Sequence, residues 1–324
     1  MRRYGAALVI AVAAAALCAP WLAPNAPDRR FDDLLYAPPT RIHLVQDGVR
    51  APFIHPWRVT SRLERRFDAV ESSRITLRWF TGGTLVTADA DEGAPLLILG
   101  ADAYGRDIFS RVLYGARTTL ALSLAATLLA TLVGAVIGAV AGYAGGWLDA
   151  LLSRVSEFVL VLPAIYVALA LRAVLPLVLP ASTVFLILLA IFGLMGWPIV
   201  ARGVRAIVLA ERQRDYAIAA RAVGASDARV LMRHLLPASS GYLRTQATLL
   251  LPAFILAEAT LSYVGLGFPN TTPTWGTMLQ DASNVALLGD APWTLAPAAA
   301  IFTVVLGVNL LAQSTGRAPV QLEP

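Results

Sequence analysis

The sequence contains no lysine, although it holds 26 basic residues among 324. All of its basic residues are therefore arginine. A phosphate-binding loop of the Walker type needs a lysine after its glycines, so this chain cannot form one. If ATP drives this protein, another chain must hydrolyse it.

Cysteine and histidine are also scarce. The single cysteine, Cys18, has no partner for an internal disulfide. The three histidines, His43, His55 and His234, are scattered and lack a Cys or acidic cluster at ligand spacing. We therefore predict no metal site, no cofactor and no catalytic residue, because a membrane enzyme would need such a cluster near the surface.

Charged residues make up only 15% of the chain, whereas hydrophobic residues make up 57% and the mean hydropathy is +0.65. This composition is too apolar for an ordinary soluble domain and predicts an all-α polytopic membrane protein. The net charge of +5 is spread over the polar segments. It does not indicate binding to nucleic acid.

Six apolar segments are candidate transmembrane helices, at about residues 4–23, 118–143, 155–175, 183–200, 247–267 and 294–312. The segments 176–182 and 268–293 carry no arginine, whereas Arg2, Arg3, Arg154 and Arg317 fall on the opposite side. The positive-inside rule then places both termini in the cytoplasm. A cleaved signal peptide is the alternative for the first segment, but its length favours a retained helix.

The chain divides into three regions. Residues 1–23 form a cytoplasmic tip and the first helix, and residues 24–117 form a long extracytoplasmic loop with strand-like pieces at 74–80 and 83–87. Residues 118–324 form the membrane core with helices 2 to 6. A loop as long as 24–117 is exempt from the positive-inside rule, so its arginines do not force it into the cytoplasm.

Several local patterns predict finer structure. Gly134, Gly138 and Gly142 recur every four residues, which is typical of close helix packing in lipid. Residues 145–154 are expected to form a turn at the inner surface. Residues 106–113 combine charged and apolar positions in the manner of an amphipathic helix at the membrane surface.

A polar segment at 201–237 separates the fourth and fifth candidate spans and is rich in arginine. We expect a helix over 204–223 that ends at Gly224 in the left-handed conformation. Ser226 is expected to cap a second helix over 227–236. On composition, this segment is either a helix that docks into a partner's groove or a solvated connector.

The segment DYAIAARAVGAS, followed by RHLLP, resembles the EAA loop of permeases from ATP-binding-cassette (ABC) importers. The Glu of the family motif falls on Ile218, and Arg233 and His234 also match. The resemblance implies that the cytoplasmic loop 201–237 couples to an ATPase through Tyr216, Ala219, Ala220, Arg221, Gly224, Ala225, Ser226 and Pro237.

Two further segments resemble dipeptide, oligopeptide and nickel permeases of the C type. In the first, Ala101 replaces a Thr, and the matches are Gly100, Asp102, Gly105, Arg106, Asp107, Ser110, Arg111, Gly115 and Arg117. In the second, the matches are Glu258, Leu261, Ser262, Gly265, Leu266, Gly267, Pro273, Trp275, Gly276 and Met278.

The resemblance implies the type I permease fold, with 118–324 as the permease core, in the bacterial inner membrane. It also implies the partners: a homologous second permease, two ATPase subunits and an extracytoplasmic substrate-binding protein. The expected substrates are peptides, with nickel or another small solute as the alternative.

An ion-driven secondary transporter is a rival interpretation, but it would need several intramembrane charges, and Glu258 alone qualifies. Glu258 is either a pathway residue or a helix-packing residue bonded to Thr260 or Ser262.

Overall fold

The computed structural model describes residues 2–45, 49–61, 64–88, 94–174, 176, 179–284 and 288–315. This part of the chain is mostly helical, and its strands lie between residues 42 and 88. Four of its helices are long and apolar enough to cross a membrane, namely Ile108–Ala144, Ala181–Glu211, Ser240–Tyr263 and Pro292–Ala312. The predicted turn at 176–182 lies partly outside the described residues, and Arg317 lies wholly outside them.

The helices are α1 (Arg2–Leu17), α2 (Ala19–Leu22), α3 (Ile108–Ala144), α4 (Gly146–Val161), α5 (Ala164–Val174), α6 (Ala181–Glu211), α7 (Asp215–Ala222), α8 (Asp227–Val230), α9 (Leu236–Ala238), α10 (Ser240–Tyr263), α11 (Trp275–Asp281) and α12 (Ala296–Thr315). A π-helical stretch, Leu231–Leu235, joins α8 to α9, and a 3₁₀ turn, Pro292–Leu295, precedes α12. The strands are β1 (Ile42–Val45), β2 (Val49–Ile54), β3 (Trp57–Ser61), β4 (Arg66–Ala69), β5 (Ile75–Thr81) and β6 (Thr84–Ala88).

The chain separates into two compact units. The first consists of Met1–Gly5, Ala121–Ala257 and Val308–Pro324, and the second of Ala6–Leu120 and Glu258–Gly307. Both α3 and α10 contribute residues to each unit.

In the second unit, β1, β2, β5 and β6 form an antiparallel sheet in the order β1-β2-β5-β6, and β3 pairs with β4 in a separate hairpin. Ile54, Ile75 and Leu77 are buried on one face of the larger sheet, together with Leu96. The strand-like pieces expected at 74–80 and 83–87 correspond to β5 and β6. Period-two burial along β5 explains why the sequence revealed this strand.

In the first unit, α3 packs closely against α6 through the predicted glycine face. A Cβ atom on Gly134 would lie 2.6 Å from Val200 Cβ, and one on Gly138 would lie 2.4 Å from the Ala201 carbonyl oxygen. Only a residue without a side chain fits at such distances. The expectation of close helix packing at these glycines is confirmed.

The structure differs from three expectations, because short-range sequence patterns do not show where the backbone hydrogen bonding of a helix begins or ends. Residues 145–154 do not form a turn, since α4 begins at Gly146. Within the amphipathic helix expected at 106–113, residues 108–113 are helical, but they are the first turns of α3, which runs unbroken from Ile108 for 37 residues, about 55 Å. The expected helix over 204–223 is interrupted at 212–214, between α6 and α7.

Other expected spans are shifted or divided. The span expected at 155–175 is broken at Leu162, which is extended because Pro163 follows it. The segment expected as the first span, 4–23, contains two shorter helices, α1 and α2, and the helix at the expected fifth span begins at Ser240 and ends at Tyr263. Pro237 does not stop the second helix of the polar segment, because it occupies a first-turn position of α9, where its missing N–H is not needed.

Candidate functional site

The predicted coupling segment lies in the first unit and is centred on α7, a helix of eight residues. Its buried anchor is Ala217, which is fully inaccessible and packs in a core with Val204 and Val208 of α6 and with Val230 of α8. Ala220 and Ala225 pack against the same core. Ala217, Ala220 and Ala225 are all small, so this face of α7 packs on the core through short side chains.

Two arginines fix the break between α6 and α7. Arg212 Nη1 donates hydrogen bonds to the carbonyl oxygens of Gly142 (3.2 Å) and Tyr143 (2.9 Å), near the end of α3. These carbonyls belong to the last turn of a helix, where acceptors lack intrahelical partners. Arg221 Nη2 donates in turn to the Arg212 carbonyl oxygen at 2.5 Å. These hydrogen bonds link the end of α6 to the end of α3 and to α7.

The outer face of α7 is exposed and partly apolar. Ile218 is 53% exposed and Val223, directly after the helix, is 86% exposed. Tyr216, Ala219, Arg221, Gly224, Ser226 and Pro237 are also exposed. The predicted coupling residues therefore divide into two that face the core, Ala220 and Ala225, and six that face outward.

The turn after α7 has the predicted geometry. Gly224 has a φ of +85°, the left-handed conformation that glycine adopts without steric cost. The Ala225 N–H donates to the Ala220 carbonyl oxygen at 3.0 Å, which closes the helix end. Ser226 occupies the N-cap position of α8 as expected, but its side chain makes no capping hydrogen bond.

Tyr216 is held at the start of α7 by its hydroxyl, which donates to Glu211 Oε2 at 2.6 Å. Its ring also lies 6.3 Å from the ring of His234. Partial burial and the neighbouring carboxylate of Glu211 raise the pKa of Tyr216.

Two residues of the segment 201–237, Arg205 and Asp227, make long-range contacts that the sequence did not reveal. Asp149 of α4 accepts two hydrogen bonds from the guanidinium of Arg205 on α6, one of them 2.7 Å from Nη2 to Oδ2. Asp227 accepts a hydrogen bond from the Tyr143 hydroxyl. Each pair joins residues more than 50 positions apart, so no local pattern could have revealed either.

The second unit contains a cluster of buried charges built from the glycine-arginine-aspartate segment. Arg106 is 2% exposed, and its Nε donates to Asp102 Oδ2 at 2.7 Å. Arg111 is fully buried, and its Nε lies 3.6 Å from the same oxygen. Gly105 has a φ of +70° and lies close to the backbone of Phe31. A Cβ atom on Gly105 would lie 2.2 Å from the Phe31 carbonyl oxygen.

Asp281 of α11 completes this cluster. Its Oδ2 accepts a hydrogen bond of 2.8 Å from Arg106 Nη2, and its Oδ1 accepts one of 2.7 Å from Asn270. The Asn270 carbonyl oxygen accepts from both Arg106 and Arg111. Two arginines, Arg106 and Arg111, therefore face two aspartates, Asp102 and Asp281, so the formal charges of this cluster balance.

Asp107 caps the beginning of α3. Its carboxylate accepts hydrogen bonds from the backbone N–H groups of Phe109 (3.1 Å) and Ser110 (3.3 Å) and from the side chain of Asn25 (3.0 Å). Burial nevertheless raises the pKa of Asp107 to about 6, because these bonds only partly offset desolvation. No cation pairs with this carboxylate among the described residues.

Glu258 of α10 is fully buried. Its Oε1 accepts a hydrogen bond of 2.8 Å from Ser262 Oγ, and its Oε2 accepts one of 2.9 Å from Thr119 Oγ1 on α3. The Thr119 oxygen also accepts the N–H of Trp275 at 3.3 Å, at the start of α11. The expected partner Ser262 is confirmed, whereas Thr119 was not foreseen.

Within the described residues, no three His, Cys, Asp or Glu side chains are placed to hold a metal ion.

Comparison with known proteins places these features in a family. Residues 134–317 match the family model of the binding-protein-dependent transport system inner membrane component. The chain is 38% identical over 280 residues to a glutathione transport system permease protein of Shigella flexneri, covering 82% of this chain and 89% of that protein. It is also 39% identical over 213 residues to a dipeptide transport system permease protein of Alkalihalophilus pseudofirmus, covering 65% and 67%.

The family match spans more than half of the chain and includes the whole of the segment 201–237 that is predicted to couple to an ATPase. It also includes the four-residue glycine pattern and Glu258. This protein therefore belongs to the binding-protein-dependent transport system inner membrane components, the permeases of ABC importers.

Proposed function

We propose that this permease imports peptides and that α7 is the element that docks into a separate ATPase subunit. The observation that carries the proposal is the exposure of Ile218 on α7 and of Val223 directly after it, in a segment that Arg212 and Arg221 hold in place. A short surface helix with apolar anchors suits a groove on a partner. Since the chain lacks lysine and therefore a Walker loop, ATP hydrolysis falls to a separate subunit, and in this proposal that subunit is the partner of α7.

Ile218 stands where the family motif has Glu. Its side chain is 53% exposed and apolar, so it offers the partner a hydrophobic contact in place of a polar one. The placement of α7 does not depend on that Glu, because Ala217 anchors the helix in the core.

The mechanism is alternating access. ATP binding closes the ATPase dimer and moves α7, and α7 passes this movement to α6 through the core that contains Ala217 and Val204. Such coupling requires that α7 make different contacts in the two states, since a ligand shifts an equilibrium only by its differential affinity.

The proposed topology has six spans, with both termini in the cytoplasm. The spans are α1 with α2, then α3, α4 with α5, α6, α10, and residues 292–312. An even number of spans puts both termini on the same side of the membrane, and the positive-inside rule makes that side the cytoplasm. Residues 24–117 then form an extracytoplasmic region, and residues 118–324 form the permease core.

The proposed complex contains this chain, a homologous second permease, two ATPase subunits and a substrate-binding protein outside the membrane. The named substrates of the two relatives, dipeptide and glutathione, favour peptides. Nickel or another small solute is the alternative within the resemblance. We assign Glu258 to helix packing, since both of its oxygens accept hydrogen bonds and the side chain is not accessible.

The testing experiment is a detergent pull-down of the tagged chain from its native membrane, with mass spectrometry of the co-purified proteins. We expect a second permease and ATPases with Walker motifs. The purified complex, reconstituted with its binding protein, should take up radiolabelled dipeptide when ATP is supplied to the ATPase side. Recovery of the chain alone, active in uptake driven by an ion gradient, would refute the proposal.

A further inference from the structure

The β5–β6 hairpin ends in a narrow tip that projects into open space. Its regular pairing runs from Leu77 opposite Ala88 to Thr81 opposite Thr84. The two residues between, Gly82 and Gly83, both have positive φ, as a two-residue hairpin turn requires. A Cβ atom built on either glycine would meet no other atom within 4 Å.

The apolar face of β5 continues beyond the core that covers it. Ile75 and Leu77 are 1% and 4% exposed, and period two places Trp79 next on the same face. Trp79, however, is 52% exposed. The sheet therefore presents a large aromatic side chain past the edge of its own hydrophobic core.

Phe80, the next residue, is 69% exposed and has a φ of +54°. This left-handed conformation is unfavourable for a bulky side chain. Its ring is not isolated, because it lies 6.3 Å from the ring of Trp21, which is itself 51% exposed. Three exposed aromatic residues are thus concentrated at the hairpin tip and beside it.

Trp21 connects this tip to the membrane-facing surface of α1. It lies on α2, which follows α1 after a single turn residue, Cys18. On α1, Ile10 and Leu17 are 66% and 77% exposed, as expected for side chains that face lipid. The apolar surface therefore continues from α1 through Trp21 to Phe80.

We propose that Trp21, Trp79 and Phe80 form an aromatic anchor that inserts into the headgroup region of the leaflet at which α1 ends. Tryptophan is enriched at this depth because its ring is apolar and its N–H is polar. The anchor attaches the β-rich segment 42–88 to the membrane surface. The segment is then held there by the anchor as well as by the two ends of its chain. The inference rests on the proposed crossing of the membrane by α1.

The test uses spin labels on single cysteines in the Cys18→Ser background. The labelled positions are Trp79→Cys and Phe80→Cys at the tip, Ile10→Cys on α1, and Ser72→Cys. Ser72 is an exposed turn residue before the opposite end of β5 and serves as the control on the same part of the chain. The complex is reconstituted in vesicles of phosphatidylethanolamine and phosphatidylglycerol, and collision with oxygen is compared with collision with a water-soluble nickel chelate.

We expect the labels at 79 and 80 to collide more with oxygen than with the chelate, as at Ile10, whereas the label at Ser72 shows the reverse. If 79 and 80 behave like Ser72 while Ile10 is in lipid, the anchor is refuted and the span stands. If both reagents are excluded from 79 and 80, a protein partner covers the tip and the bilayer proposal fails. An aqueous label at Ile10 would overturn the α1 span and the anchor with it.

Discussion

Arg106 and Asp281 are 175 residues apart in sequence, yet Arg106 Nη2 donates a 2.8 Å hydrogen bond to Asp281 Oδ2 in a buried site. This contact joins the start of α3 to α11. The first of these segments matched the C-type permeases through Arg106, and the second through Trp275 and its neighbours. The two motifs are therefore parts of one structural site.

Asp281→Asn should destabilise the second unit, because it leaves the buried guanidinium of Arg106 with one carboxylate instead of two. We expect a loss of roughly 3 kcal/mol, the usual cost of removing one partner of a buried pair. The measurement is the midpoint of thermal unfolding in detergent. The matched control is Glu64→Gln, which removes a pair with Arg66 that is 3.1 Å long but exposed. Equal midpoints for the two variants would show that the buried cluster contributes little.

Gly138→Ala should weaken the packing of α3 on α6. The added methyl group would lie 2.4 Å from the Ala201 carbonyl oxygen, so the two helices must move apart. Overpacking of this kind costs about 1–3 kcal/mol. Val136→Leu, on the same helix at a position that is 60% exposed, is the control and should leave the unfolding midpoint unchanged. An unchanged unfolding midpoint in Gly138→Ala would show that the close contact between α3 and α6 at this position does not contribute to stability.

Asp107 should make stability depend on pH. Its pKa is about 6 in the folded protein and about 3.9 in an unfolded chain, so the folded state retains a proton that the unfolded state loses. Its contribution to stability is fully present below about pH 4 and is lost as the pH rises through 6. We expect the unfolding midpoint to fall over this interval and the slope to be smaller in Asp107→Asn.

The control for this titration is Asp32→Asn, which removes an exposed carboxyl group. It should leave the pH dependence of the unfolding midpoint as in the unmodified protein. A slope that persists unchanged in Asp107→Asn would assign the pH dependence to another group.

Gly224→Val should disrupt coupling through backbone strain rather than through a clash. The φ of +85° is unfavourable for a β-branched residue, whereas a Cβ at this position would meet no atom within 4 Å. Strain of about 1–2 kcal/mol should tilt α7 and weaken retention of the ATPase subunits. Gly224→Asn is the matched control, since Asn tolerates the left-handed region. The readouts are co-purification of the ATPases and ATP-driven uptake; full uptake by the Val variant would contradict the docking role.

Glu258→Gln should separate a packing role from a pathway role. Gln keeps the size of the side chain but replaces one of the two acceptor oxygens that Thr119 and Ser262 contact. If Glu258 packs helices, the unfolding midpoint should fall by an amount equivalent to about 1–3 kcal/mol, while the remaining folded complex transports normally. Loss of uptake with an unchanged midpoint would instead place Glu258 in the pathway.

The sequence predicted much of the coupling segment because its signals are local. A glycine that must adopt positive φ, such as Gly224, stands out from the helix formers before it, and the resemblance supplied the rest. The break at 212–214 was missed because Arg212 is itself a good helix former. Its side chain ends α6 by bonding to carbonyl groups of α3, a contact that no local pattern encodes.

The sequence by itself determined the class of protein, the apolar segments, the close-packing glycines at 134 and 138 and the exclusion of a Walker site, since each depends on composition or short spacing. The tertiary structure decided the partners of buried polar groups. Arg106 with Asp281, Arg205 with Asp149 and Glu258 with Thr119 are all distant in sequence. A buried polar group without a partner costs free energy. These residues can therefore lie in an apolar interior only because the fold brings their partners within hydrogen-bond distance.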